Sequence, residues 1–343
     1  MANENTAARP SANPISILQG AAGAAAMKAA LDLEIFTHIA NGANTAEKIA
    51  AAKHLPVRST RILCDALVAL DVLEKSGGSY SLPPLSRALL VKGSPTYAGG
   101  MAGIVGNRAL WNEYGRLTEV VKAGHTLLDQ SAETDDNPFW QDFARGTRQM
   151  AQTVGPVVAE IAAESFKGGG EGPRKILDIA CGSGFYGISA LKRFPGARLV
   201  QVDWPGVLKH AEVNARNAGV ADRVEFRPGD IFADDLGNGY DLVLAVNIYH
   251  HFSIAKNIEL SRRLAAAAAP GGMLVIIDLV PDEGREHERF ALMFALTMLI
   301  WTHEGDAFTF SEYKQMLEAA GFRDIELKVA PGPVTTQAIV ARK

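Results

Sequence analysis

Two stretches of the chain carry residues whose types and spacing could do chemistry. Ile176-Leu177-Asp178-Ile179-Ala180-Cys181-Gly182-Ser183-Gly184-Phe185-Tyr186-Gly187 ends an apolar run in a glycine-rich loop. Val246-Asn247-Ile248-Tyr249-His250-His251-Phe252 ends another in two adjacent histidines. Gly182, Gly184 and Gly187 satisfy G-x-G-x-x-G, a strand–turn–helix pattern in which missing side chains let backbone approach a nucleotide-like ligand. Asp203 closes the next apolar run, where an acid can accept ribose hydroxyls.

That pattern admits either NAD or S-adenosylmethionine, and three features separate them. Asp178 stands just before the glycines, where its charge would repel a pyrophosphate. S-adenosylmethionine has no phosphate; it carries an ammonium and a sulfonium, which a carboxylate suits. Gly229-Asp230-Ile231-Phe232 follows the third apolar run, offering a carboxylate to the adenine amino group and Ile231 to its ring. The unit also lies in the C-terminal half, unlike most dinucleotide domains. The expected cofactor is therefore S-adenosylmethionine, held by Asp178, Gly182, Gly184, Asp203, Asp230 and Ile231. NAD remains the alternative.

These residues need elements to position them. Strand-type runs occur at 175–179, 198–202, 223–226, 240–246 and 273–279, separated by helical stretches. Such alternation predicts a parallel sheet covered on both faces, with ligands bound beyond the strand ends. Two final runs, 324–329 and 335–341, flank Pro331-Gly332-Pro333 and predict an antiparallel hairpin. Upstream, residues 168–173 form a glycine-rich linker, and 97–166 reads as long helices. The first third predicts helices over 24–39 and 57–70, a cap at Asn44 or Thr45, and a hairpin around Gly77-Gly78. Helix, turn, helix and hairpin make a winged-helix pattern.

Composition excludes other classes. The 343 residues suffice for two domains, and their formal net charge of -4 argues against a general affinity for nucleic acid. The second helix of the winged-helix pattern offers only Arg58 and Arg61 as cations, so a packing and dimerisation role is expected over DNA contact. Cys64 and Cys181 are too few and too far apart for a disulfide framework or a zinc site. A cytoplasmic setting is expected, and the N-terminus lacks a signal-peptide pattern. The apolar stretch 290–301 is too short to span a bilayer and reads as a buried helix.

Taken together, these motifs resemble the S-adenosylmethionine-dependent O-methyltransferase family, in the bacterial and plant group with an N-terminal dimerisation domain. Leu31-Asp32-Leu33-Glu34-Ile35-Phe36, the winged-helix module, the glycine loop, Asp203, Gly229-Asp230-Ile231-Phe232, Tyr249-His250-His251-Phe252 and Pro270-Gly271-Gly272 carry the resemblance. It implies an α/β, Rossmann-like class I methyltransferase domain: a mostly parallel seven-stranded sheet with a terminal antiparallel hairpin. A mostly helical winged-helix dimerisation domain precedes it, with domains at 1–103 and 104–343. The resemblance also implies a homodimer, a small-molecule acceptor, S-adenosyl-L-homocysteine as product, and no metal, nucleic acid or membrane partner. Trp204, Val246 and Asn247 join the cofactor residues on the same ground.

In the family pattern, the first histidine of the pair is the general base, which makes it His250. The chemistry is reasonable, because an imidazole titrating near 6.5 can take a phenol's proton as the methyl moves. Asp278 ends the fifth strand where the family carries a carboxylate beside that base. His251 takes the role if the register differs. Plant members have a second carboxylate near the base, and the matching position here holds Phe310, with Glu304 and Asp306 nearby. The implied reaction is methylation of a phenol or enol, with N- or C-methylation, or cofactor binding without transfer, as alternatives. Trp140, Phe143, Met150, Phe294 and Met298 are the candidate acceptor wall, because large apolar side chains suit an aromatic ring.

Overall fold

The protein is described from a computed structural model covering residues 14–100, 106–129, 137, 139–166, 172–330 and 336–343. The linker expected at 168–173 and the Pro331-Gly332-Pro333 turn fall largely or wholly outside the described residues. The chain forms two compact units, Met1–Ala102 and Gly103–Lys343.

The N-terminal unit is mostly helical. The helix expected over 24–39 is broken: Gly20–Asp32 and Ile35–Ala40 are separate. Glu34, between them, adopts a left-handed φ of 55 and pairs its carboxylate with Lys53 and Lys92. That turn folds Ile35, Phe36 and Ile39 onto a core shared with Ile49, Leu67 and Tyr80. Thr45 caps Ala46–Lys53 by accepting from the Lys48 N–H at 3.3 Å. After Val57–Ala69, strands β1 (Glu74–Ser76) and β2 (Ser79–Ser81) pair antiparallel. Their turn residues, Gly77 and Gly78, both have positive φ, as a tight two-residue hairpin requires.

In the second unit, the expected long helices are short before residue 148: Arg108–Gly115, Leu117–Ala123 and Phe139–Gly146. Gly124 ends the second of these in a left-handed conformation that only glycine adopts readily. The helix Arg148–Phe166 is long. Seven strands then follow among the described residues: β3 (Lys175–Ile179), β4 (Arg198–Asp203), β5 (Val224–Pro228), β6 (Tyr240–Val246), β7 (Ala268–Ile277), β8 (Arg323–Ala330) and β9 (Thr336–Arg342). They lie in the order β5-β4-β3-β6-β7-β9-β8, with β9 antiparallel to both neighbours. This is the expected fold class: a mixed α/β unit with a mostly parallel sheet and a terminal hairpin.

The central strands are continuous apolar runs because helices cover both faces. One face packs under Arg148–Phe166 and Phe185–Arg193, the other under Ile254–Ala267 and Phe310–Ala319. Strand order reverses direction at β3, since the chain runs outward through β4 and β5 and returns to β6 on β3's other side. Ligands bind beyond the carboxyl ends of strands at such a reversal. The stretch 290–301 is a helix, Arg289–Trp301, but not a buried one: Phe290 and Met293 are 72% and 57% exposed. No helix among the described residues is long and apolar enough to cross a membrane.

Candidate active site

The strand ends at the reversal open into a cavity of about 790 Å³, within the size range of small-molecule sites. Its floor is the loop after β3. Ala180, Gly182 and Gly184 all have positive φ, which turns the chain sharply from strand into the helix Phe185–Arg193. Asp203, at the end of β4, ties this loop down: it accepts from the Gly182 N–H at 2.8 Å and from the Trp204 N–H at 2.7 Å. Burial pushes its carboxyl up to about 6 against those two hydrogen bonds.

Asp178 is 1% exposed, yet it borders the cavity. Its Oδ2 accepts from the Gly187 N–H at 3.1 Å and from Gln201 Nε2 at 2.9 Å. Burial drives this carboxyl up to about 7, with the two hydrogen bonds pulling the other way. A bound cation would recover that cost, so a ligand's ammonium fits here.

The three glycines do different work. Gly182 borders the cavity, and a Cβ there would meet nothing within 4 Å. Gly184 does not border it; a Cβ would meet Ala211 and Gln201 at 3.0 Å, and its carbonyl accepts from Gln201. Gly187 lets the helix pack on the sheet, since a Cβ would fall 2.7 Å from Asp178 Oδ2. Of the expected cofactor residues, Trp204, Asp230, Ile231, Val246 and Asn247 join Asp178, Gly182 and Asp203 in the wall, and Gly184 stands outside it. Phe232 and Lys256 also border the cavity, the ammonium lying 4.2 Å from the ring centroid. A buried carboxylate, a second acid at the next strand end and aromatic rings beyond it line one cavity, a chemistry that fits S-adenosylmethionine.

Beyond the cofactor residues, β6 delivers His250 and His251 on a short turn, Tyr249–His251. His250 Nδ1 lies 2.6 Å from Asp278 Oδ1, and both side chains are buried. Tyr313, from Phe310–Ala319, donates its hydroxyl to Asp278 Oδ2 at 2.8 Å. Burial and the adjacent Asp278 hold the Tyr313 phenol well above 10, so it stays a donor. Nothing in the sequence marked Tyr313, which sits at a helical spacing that reads as core.

His251, not His250, borders the cavity. The His250 ring lies 4.4 Å from His251 and edge-on to Phe294 at 4.7 Å. Burial, and then the neighbouring His250, hold His251 well below 6.5, so it stays neutral. Trp140, Phe143 and Met150 border the cavity as expected; Phe294 and Met298 do not. Phe294 instead packs on His250, and Met298 is core, 3% exposed. Phe310 packs with the apolar side chains beneath its own helix. Asp306 turns its Oδ2 toward Arg285 at 3.7 Å, while Glu304 borders the cavity.

Comparison with known proteins places the whole chain in a family. A family model for the O-methyltransferase domain matches residues 121–323, and one for the O-methyltransferase dimerisation domain matches residues 15–92. Acetylserotonin O-methyltransferase of Rattus norvegicus is 30% identical, covering 92% of this chain and 73% of its own length. The crystal structure of a Nostoc punctiforme PCC 73102 protein assigned as an O-methyltransferase superposes with a TM-score of 0.90 at 33% identity, covering 96% of this chain and 98% of that one. PigF, solved with SAH, gives a TM-score of 0.83 at 25% identity over 98% of this chain and 100% of its own. The chain belongs to the O-methyltransferase family. It is an S-adenosylmethionine-dependent O-methyltransferase, and the cofactor is S-adenosylmethionine rather than NAD.

Proposed function

We propose that the enzyme methylates a phenolic or enolic hydroxyl on a small aromatic molecule, with His250 as general base and Asp278 orienting it. The observation that carries this reading is the hydrogen-bonded chain Tyr313–Asp278–His250, buried from end to end. Asp278 engages Nδ1, which fixes that nitrogen as N–H and leaves Nε2 with the lone pair a base needs. The Leu279 N–H also bonds Asp278 Oδ1, at 2.8 Å, so the carboxylate cannot swing away.

S-adenosylmethionine, when bound, supplies the methyl group. The residues then have three tasks. Asp178, Asp203 and Asp230 hold the cofactor's polar groups, and Gly182, Trp204, Ile231, Val246 and Asn247 shape its bed. Trp140, Phe143 and Met150 give a flat ring an apolar wall, which suits an aromatic acceptor such as the one the rat relative's name specifies. His250 Nε2 takes the hydroxyl proton, and Asp278 stabilises the resulting imidazolium.

One observation favours a second reading, with His251 as base: it is the histidine that borders the cavity. Against it, burial holds His251 below the usual imidazole range, which weakens it as a proton acceptor. Steady-state kinetics of two variants separate the readings. His250→Ala is expected to lower kcat by about 10²–10⁴ with cofactor affinity unchanged. Retention of most of kcat removes His250 from the role, and a collapse confined to His251→Ala assigns it to His251.

We also infer that the functional division lies at 1–103 and 104–343, and that the first part, built on a winged-helix plan, pairs two copies of the chain. The match of residues 15–92 to a dimerisation domain supports this. So does the exposure of Ile15, Ile17 and Leu18, at 70%, 64% and 82%.

A further inference from the structure

One polar atom in the cavity wall is buried without a partner. His251 is 6% exposed, and its Nδ1 is sealed from solvent and unbonded among the described residues. Nε2 is therefore the nitrogen turned to the cavity that His251 borders. A buried N–H left without an acceptor is rarer than an unanswered lone pair, so the proton belongs on Nε2. His250 holds the opposite tautomer, because Asp278 keeps its proton on Nδ1. The two ring centroids lie 4.4 Å apart, with the lone pair on His250 and the N–H on His251. Burial keeps His251 neutral, so this N–H is not accompanied by a charge.

We propose that His251 donates from Nε2 to an oxygen adjacent to the hydroxyl being methylated, so that the preferred acceptors are phenols with a neighbouring oxygen. Catechols, ortho-hydroxy carbonyl compounds and peri-hydroxy quinones make up that class. The proposal rests on His250 as base. In such compounds the reacting hydroxyl is tied to its neighbour by an internal hydrogen bond. A donor that occupies the neighbouring oxygen competes with that bond and frees the hydroxyl proton for His250. Trp140, edge-on to the His251 ring at 5.2 Å, limits how far the imidazole can turn away.

The test compares kcat/KM within isomer pairs: ortho- and para-hydroxyacetophenone, catechol and hydroquinone, and peri- and non-peri-hydroxyanthraquinone. The wild-type enzyme is expected to favour the vicinal member by about tenfold, the worth of one neutral hydrogen bond. His251→Leu should abolish that preference, and His251→Gln, which keeps an N–H, should restore much of it. Thermal melts with S-adenosylmethionine report whether each variant is folded. If His251→Leu is not, the wild-type ratios and His251→Gln decide. Equal kcat/KM for both members in the wild type, no turnover of any vicinal member, or an equal loss on both members in His251→Leu overturns the proposal. His250→Ala runs on the same panel: undiminished turnover there defeats the base assignment, while the isomer ratio still reads His251 separately.

Discussion

Asp178→Asn should move two observables in opposite directions, one for the protein alone and one for its complex. Asp178 is a carboxylate held in the apolar end of β3, and burial lifts its pKa from 3.8 to about 7. At roughly 1.4 kcal/mol per tenfold change in proton affinity, keeping it ionised costs the ligand-free protein up to about 4 kcal/mol. The sign follows from the raised value. The folded state binds the proton more tightly than the unfolded state, so stability is full below pH 3.8 and is lost as pH rises through about 7. An asparagine keeps an oxygen for the Gly187 and Gln201 hydrogen bonds but carries no charge. Ligand-free Asp178→Asn should therefore be more stable than wild type at pH 8, with the gap closing at pH 5. Its affinity for S-adenosylmethionine should fall. A charge-assisted hydrogen bond contributes about 1.5–3 kcal/mol, which corresponds to roughly 10- to 150-fold. Wild-type affinity should also drop as pH falls below about 7, as protons compete with the ammonium. Denaturant melts and isothermal calorimetry at the two pH values measure both. Binding within twofold of wild type at pH 8, or a ligand-free variant no more stable than wild type there, refutes the reasoning.

Two further outcomes follow from contacts in the same region. Tyr313→Phe removes the hydroxyl donated to Asp278 and should lower kcat about tenfold at unchanged cofactor affinity. The loss should spare KM for S-adenosylmethionine, and an unchanged kcat would show that Tyr313 is only packing. Gly187→Ala places a Cβ 2.7 Å from Asp178 Oδ2 and 2.8 Å from Leu199 Cδ2. Equilibrium unfolding should register a loss of about 1–3 kcal/mol, with weaker cofactor binding, and a wild-type midpoint would mean the helix shifts freely.

Where a feature depends on neighbours in the chain, it was legible. The strands of the second unit lie close to the apolar runs that announced them, because a sheet covered on both faces demands continuous apolar sequence. Asp178, Asp203 and Asp230 share one edge because each closes or follows a parallel strand, and parallel strands all end on the same side. The break at Glu34 was not visible, since its left-handed turn is stabilised by Lys53 and Lys92, far along the chain.

What only the tertiary structure decided is which of these residues meet. Gly184 and Gly182 sit in one motif, yet one faces Gln201 and the other the cavity. Only the family pattern ranked His250 over His251 in the sequence; the turn at Tyr249–His251 sends one to Asp278 and the other to the cavity wall. Phe294 and Met298 lie one helical turn apart, one on the His250 ring and one in the core, and no periodicity distinguishes them. Tyr313 reaches Asp278 across a separation of 35 residues because its helix packs in the same apolar layer as β7. The sequence by itself determined the strands, the glycine loop and the acids at the strand ends, since backbone and burial requirements impose those locally. The partners of His250, and which histidine reaches the cavity, were left to packing between distant elements, which leaves no periodic trace in the chain.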